Sequence, residues 1–407
     1  MRKFFTSFRI ILSVLTVSII VSCAHTQPQP QPIPDRTMEF EEGMRALAVN
    51  LADQIEYSSV GSKLNKVIVD PVTQQKQLKK IVIDPFIDME SGYPVKANAR
   101  IVEIFSQEIT KRFQVTGEME PDNLEISEYV LNGMVTLDEK LGSNGNVYKV
   151  YGAVFEKASG KVLASASVHL NSFDTTPKDI YKDSPVYLKG KNYDQYASSV
   201  KKAPDETVNK EYHDRLAIKS MQVKGDKLYE QNEYNKSLAY YNQAAGSQSG
   251  EQMEVLNGQF TILVKQAQWK EAENVYGRLL RVSIRETNEI SSKIIFGPNS
   301  VVPVENKTEI YNIYMKQIAN LVASAPQCKV KIVGHSSRTG SDAYNEKLSL
   351  HRALWIQKRM ALYAPAIMNK SETIGRGFVE NIVGTGTDDI TDQIDRRVEF
   401  IFTKCVE

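Results

Sequence analysis

Histidine, cysteine and tryptophan are scarce in this chain, which holds five, three and two of them among 407 residues. The histidines, His25, His169, His213, His335 and His351, are scattered without metal-site spacing, and no HExxH, GxSxG or phosphate-binding glycine loop occurs. The acidic pair Asp388-Asp389 sits in a Gly- and Thr-rich stretch and reads as solvated, and His335 reads as a structural or rim residue and not as a base. These absences point away from an enzyme and imply no cofactor and no metal. Charge of one sign is absent too: 50 basic residues face 49 acidic ones, so no net positive field steers the chain onto nucleic acid. What is present is ordinary globular composition, 42% apolar and 9% aromatic, at a length that suits two or three domains.

The longest apolar stretch, Ile10 to Val21, is too short to cross a bilayer core of ~30 Å, and it follows a positive start of Arg2, Lys3 and Arg9. That is the pattern of a signal peptide over residues 1–22. It ends in Ile20-Val21-Ser22-Cys23, which resembles the lipobox of bacterial lipoproteins. The resemblance implies cleavage before Cys23, lipidation of its thiol and a membrane anchor. Ala24 follows where an Asp would favour inner-membrane retention, so the expected location is the outer membrane, facing the periplasm. Residues 23–36 then form a Pro/Gln-rich tether, whose alternating prolines favour extended polyproline II.

Periodicity organises the rest. Phe40, Met44, Leu47, Leu51 and Ile55 repeat at helical spacing. Between 37 and 172 follow the branched runs Val67-Ile68-Val69 and Ile81-Val82-Ile83, a helix expected over Ala97 to Phe113, the segments Tyr129-Val130-Leu131 and Met134-Val135, and a hairpin pairing Val147–Phe155 with Val162–Leu170. This order, with IVIDPFIDMESG and VYKVYGAVFEKASGKVLASASV, is similar to a periplasmic α/β domain of the flagellar lipoprotein FlgO, the curli-export lipoprotein and penicillin-binding-protein activator lipoproteins. Residues 173–211 show no sustained period and read as a linker. Over 212–285, Gly225, Tyr229, Tyr234, Leu238, Tyr241 and Ala244, then Trp269, Ala272, Tyr276 and Leu279, fall where a tetratricopeptide (TPR) repeat places its packing residues. Tyr234 and Trp269 stand 35 apart against a period near 34. Ser237 and Phe260 depart from the pattern, occupying the positions of Ala and Gly. Two such repeats bury too little to stand alone and must lean on their flanks; a rigid spacer or a cradle for a protein partner are both open.

Residues 288–405 carry several motifs in order: Ile294-Ile295-Phe296 as an opening strand, a helix over Tyr311–Ala323, the strand Val330–Val333 running into GHSSRTG, then NEKLSLHRALWIQKRM and finally Asp395-Arg396-Arg397-Val398-Glu399-Phe400. Together they resemble the OmpA-like family, which implies a β/α/β/α/β domain that binds the peptidoglycan stem peptide. On that resemblance Arg352 would fork onto a diaminopimelate carboxylate, with Asn345 two turns back on the same helix side, Ser341 capping the helix, and Ala353, Ile356 and Met360 docking it on the sheet. The family's GHTD acid is replaced here by Ser337, whose hydroxyl can accept from the ligand ammonium without neutralising it. Asp342, Asp388 or Asp389 could supply the missing charge, and Asp395 could instead pair with Arg352. Cys328 and Cys405 would meet in a disulfide if the strands beside them pair antiparallel, which suits an oxidising compartment.

The fold expected is therefore α+β and multidomain, with an α/β domain, a short all-α TPR-like segment and an OmpA-like domain. The function expected is a non-catalytic outer-membrane lipoprotein that binds peptidoglycan and tethers or scaffolds the envelope. The rival is an accessory to a secretion, flagellar or wall-synthesis machine, localised by its OmpA-like domain. Cys23→Ser should abolish acyl incorporation and move the mature protein to the soluble fraction; a variant still labelled by radioactive palmitate would contradict the lipobox.

Overall fold

The structure, a computed structural model, describes residues 30–57, 78–138, 147–186, 190–380 and 395–405. The signal peptide, Cys23, the first half of the tether, the Val67–Val69 run and Asp388-Asp389 lie outside the described residues. Among the described residues no helix is long and apolar enough to cross a membrane.

The N-terminal unit is a twisted sheet between helical layers. Its elements are β1 (Thr37–Met38), α1 (Phe40–Tyr57), β2 (Lys79–Ile83), β3 (Ile87–Asp88), α2 (Asn98–Ile109), β4 (Phe113–Glu118), α3 (Pro121–Ile126), β5 (Tyr129–Leu137), β6 (Tyr148–Glu156) and β7 (Val162–Leu170). Strand order is β1-β7-β6-β5-β2-β4, with β3 pairing with β5. Alternation along β5 shows how the sheet is sandwiched: Tyr129, Leu131 and Val135 join the core under α1 and α2, and Val130 and Met134 join that of the opposite face. The expected helix over 97–113 stops at Ile109, and β4 starts at Phe113. Phe113 turns into the core edge-on to Tyr129, 6.3 Å between ring centroids, while the rest of this edge strand is exposed or half-buried and shows no sustained alternation to read.

The stretch expected as a linker carries three short helices, α4 (Asp179–Asp183), α5 (Lys191–Val200) and α6 (Lys210–Asp214). Each is too short to show a sustained period, yet Ile180, Tyr181, Val186, Tyr196, Val200, Val208 and Tyr212 are all buried. Tyr196 and Tyr212 close the second face of the sheet. Tyr196 Oη donates to the carbonyls of Gly133 (2.8 Å) and Pro85 (3.0 Å), and Tyr212 Oη donates to Asp84 (2.6 Å).

Two helical hairpins follow, α7 (Leu216–Glu230) with α8 (Tyr234–Gly246) and α9 (Met253–Lys265) with α10 (Trp269–Thr287). Lys219 on α7 lies 3.1 Å from the fully buried Asp84 and 3.7 Å over the Tyr196 ring. Burial pushes the Asp84 carboxyl up and the Lys219 ammonium down, against their mutual attraction. Lys224 and Lys227 converge on Glu120, so the hairpins are bolted to the sheet unit by charge as well as by packing, and Lys178 of the 173–211 segment pairs with Glu118 at 2.7 Å. Most of the repeat positions are buried as expected, but Trp269, at the first turn of α10, is 41% exposed. Both departures from the repeat pattern have a local cause. Ser237 Oγ donates to the Gly225 carbonyl at 2.7 Å, and Phe260 packs against both Tyr276 and Tyr314.

The C-terminal unit comprises β8 (Glu289–Ser292), α11 (Thr308–Ser324), β9 (Lys329–Gly334), α12 (Asp342–Ala361), α13 (Ile367–Lys370), β10 (Ser371–Gly375) and β11 (Val398–Thr403), in sheet order β10-β9-β11-β8. It has one strand more than expected, because β10 pairs parallel with β9. The opening strand also lies earlier than expected. Glu289–Ser292 pairs with β11, whereas Ile294 and Phe296 are buried in the loop beyond it. Helix α10 enters β8 through Asn288 alone, in the left-handed conformation (φ 58°), whose carbonyl accepts from Phe402 N at 2.7 Å. Tyr276 of α10 stacks on Tyr314 of α11 at 4.7 Å, and hairpins and C-terminal unit share one continuous core.

Asp226 of α7 is buried and accepts from Tyr181 Oη (2.8 Å) and Tyr241 Oη. Burial pushes its carboxyl up to about 6, against the charge of Lys178 and the two tyrosine hydrogen bonds, with Glu118 adding to the rise. A raised folded-state value favours the protonated form, so this contribution is fully present below about 3.8 and is lost as pH rises through about 6. Its size is on the order of 3 kcal/mol. Asp226→Asn should flatten the decline in stability over that window, read by urea unfolding at several pH values.

Candidate functional site

Helix α12 starts cleanly: Ser341 is its N-cap, and its side chain accepts from Tyr344 N. Leu348, Ala353, Ile356 and Met360 are buried and hold the helix on the sheet. The contact is backbone to backbone. A Cβ on Gly334 of β9 would sit 2.1 Å from the Ser349 carbonyl oxygen, and one on Gly375 of β10 would sit 2.4 Å from that of Glu346. Glycine at both strand ends therefore lets the middle of α12 lie against the carboxyl ends of two parallel strands.

There the structure places the three residues expected to line a pocket. Arg352 was expected to present an open fork; instead it is only 1% exposed, and its donors meet backbone carbonyls. Nε donates to Ser300 O (2.9 Å), Nη1 to His335 O (3.1 Å) and Nη2 to Gly297 O (3.2 Å), while the guanidinium lies 5.0 Å from the Phe296 ring centroid. Asn345 is buried and turns inward, Nδ2 donating to Thr339 O (3.0 Å) and Ser341 O (3.2 Å). Ser337 is also buried, two residues beyond the carbonyl that receives Arg352. Of the acids that might replace the family's Asp, Asp342 is exposed in the first turn of α12, and Asp388 and Asp389 lie outside the described residues. Cys328 and Cys405 form a disulfide with Cα atoms 4.3 Å apart, beside the antiparallel pair Lys329↔Thr403.

Two features were not read from the sequence. One is the loop Gly297–Ser300, whose carbonyls receive Arg352: it follows the Ile294–Phe296 stretch expected as a strand, and a backbone acceptor leaves no residue signal. The other is a charged group behind the site. His335 is fully buried, with Nε2 3.2 Å from Glu399 Oε2, and Arg397 Nε lies 2.7 Å from Glu399 Oε1. Burial pushes the Glu399 carboxyl up, but the close approach of His335 and the charge of Arg397 more than offset it and hold the group at about 2. Glu399 is therefore ionised throughout the neutral range.

No family model and no curated protein matches the chain. Among solved structures it is similar to the peptidoglycan-associated lipoprotein from Burkholderia pseudomallei, at 19% identity over 27% of this chain and 88% of that one, TM-score 0.23. It is similar as well to the C-terminal domain of Helicobacter pylori MotB, at 19% identity over 27% and 82%, TM-score 0.22. A third is the OmpA-like domain of FopA1 from Francisella tularensis subsp. tularensis SCHU S4, at 19% over 28% and 73%, TM-score 0.23.

The glycine contact supplies a direct test. Gly334→Ala should cost about 3 kcal/mol, the upper end for overpacking because the obstacle is backbone. Gly246→Ala, where a Cβ meets nothing within 4 Å, should be neutral. Equal unfolding midpoints in urea for the two variants would contradict the close approach.

Proposed function

We propose that the C-terminal unit binds the peptidoglycan stem peptide non-covalently, and that the protein is a non-catalytic lipoprotein anchored through Cys23 to the outer membrane and facing the periplasm, where it tethers or scaffolds the envelope. The observation that carries the reading is the position of Arg352, fixed at the carboxyl end of β9 behind the short loop Gly297–Ser300, bonded to the carbonyl of His335 two residues before Ser337. Its present contacts with that loop are to neutral carbonyls. An incoming carboxylate would make charge-assisted bonds, roughly twice as strong as neutral ones, so exchanging the carbonyls of Gly297 and Ser300 for a ligand carboxylate is favourable once the loop yields. Ser337 would then meet the ligand ammonium through its hydroxyl. In this reading the TPR-like hairpins and the α/β unit display a surface for a protein partner. The rival role, in assembly or regulation of an envelope machine, keeps the same wall contact for localisation.

Burial of Arg352 changes the choice of variant. Arg352→Ala would leave three carbonyls without their donor and unsettle the fold. Arg352→Lys keeps the charge but loses the planar fork, and should weaken binding about tenfold. Ser337→Asp should tighten it if the ligand is diaminopimelate-like. The measurement is co-sedimentation of the full chain, made soluble by Cys23→Ser, with purified sacculi, with each variant's folding checked by circular dichroism. Wild-type protein that stays in the supernatant would overturn the wall-binding reading.

A further inference from the structure

We propose that His335, Glu380 and Glu399 form a binding site for a divalent metal ion of the zinc class, at the carboxyl end of β9. These residues are far apart in sequence, at the end of β9, in the segment after β10 and in β11, so no spacing motif announces them. The fold gathers one ring nitrogen and two carboxylate oxygens within 4.8 Å of one another, the one such group among the described residues.

A second, independent observation concerns the histidine itself. His335 is 0% exposed, and neither of its ring nitrogens has a hydrogen-bond partner. A buried imidazole in that state forfeits the hydrogen bonds water would give it, and such orphaned groups are rare. Nε2 does approach Glu399 Oε2 at 3.2 Å, but off the line that a hydrogen bond requires. Two ligands of one tetrahedral zinc, each about 2.0–2.1 Å from the metal, stand about 3.3 Å apart with their lone pairs converging on the ion and not on each other. The observed separation matches that arrangement.

The charges nearby leave room for a cation. Arg397 occupies Oε1 of Glu399 and leaves Oε2, while Arg376, 53% exposed at its side chain, lies 3.8 Å from Glu380 and is free to swing into solvent. Glu380 is exposed, so the fourth position of the metal would face water. One imidazole and two carboxylates suit zinc; magnesium, which demands octahedral oxygen ligation, is disfavoured.

The test uses the full chain in its Cys23→Ser form, stripped with chelator and titrated with zinc against a chromogenic competitor. One-to-one binding is expected, together with a visible d–d band when cobalt(II) replaces zinc. Because Glu380 is exposed, Glu380→Gln should leave the fold intact while weakening zinc at least about tenfold, the lower bound for losing even a supporting residue of a metal site. Glu372→Gln, exposed on β10, should leave affinity unchanged. Failure to bind sub-millimolar zinc, or equal affinity in wild type and Glu380→Gln, would overturn the proposal. Neither result depends on sacculus binding.

Discussion

The stack of Tyr276 on Tyr314, with Phe260 against both, joins two parts of the chain that neither could complete alone. Two helical hairpins have one apolar flank too many, and a four-stranded sheet with helices α11 and α12 has an outer helix face that water would otherwise meet. Aromatic rings are well suited to this joint because each buries a large area with few torsions to freeze. The consequence is one core that runs through the hairpins to Phe402 and also takes in Ile180, Tyr181 and Val186 and, from the sheet unit, Tyr93. The hairpins are thereby part of the C-terminal unit's support, and the departure of Phe260 from the repeat pattern is what makes the joint.

The other joint is built differently. Between hairpins and sheet unit, packing of Leu216 in one core with Val82 and Val130 is joined by charged contacts, Asp84 with Lys219 and Glu120 with two lysines, while Lys178 of the 173–211 segment holds Glu118. Buried pairs of this kind add little net stability, yet losing one partner is costly, so they favour a single register over slippage. The 173–211 segment reinforces both joints. Val186 forms a bridge to Ser292 of the C-terminal unit while its carbonyl receives Tyr93 Oη of the sheet unit at 2.8 Å, and Lys293 reaches back to Tyr181 O at 2.6 Å.

Much of this architecture was legible in the residues. Helix α1, the hairpin of β6 and β7, and α12 all show the periodicity that burial imposes, and their buried positions are those the spacing indicates. Legibility failed where burial is one-sided or segments are short. Strands β4 and β10 lie at edges, β10 with no buried residue, and α4 to α6 span one to three turns each, so none completes a readable pattern. At the site the sequence singled out Ser337, Asn345 and Arg352, but not the backbone carbonyls that Asn345 and Arg352 touch. The acceptors of Arg352 are carbonyls, which every residue has, and the cluster at His335 comes from three elements brought together only by the sheet.

The passage from α10 to β8 through Asn288 removes any slack between helix and strand. The last turn of the helix and the first residue of the strand share one joint, locked by the hydrogen bond from Phe402. Rotation of the C-terminal unit against the hairpins would have to break that bond and unstack the tyrosines together. Mechanically, the hairpins act as a stiff handle on the sheet that carries Arg352. A partner that grasps α8 or α9 would set the direction in which that residue's surroundings face, with no lever arm in which the orientation could be lost.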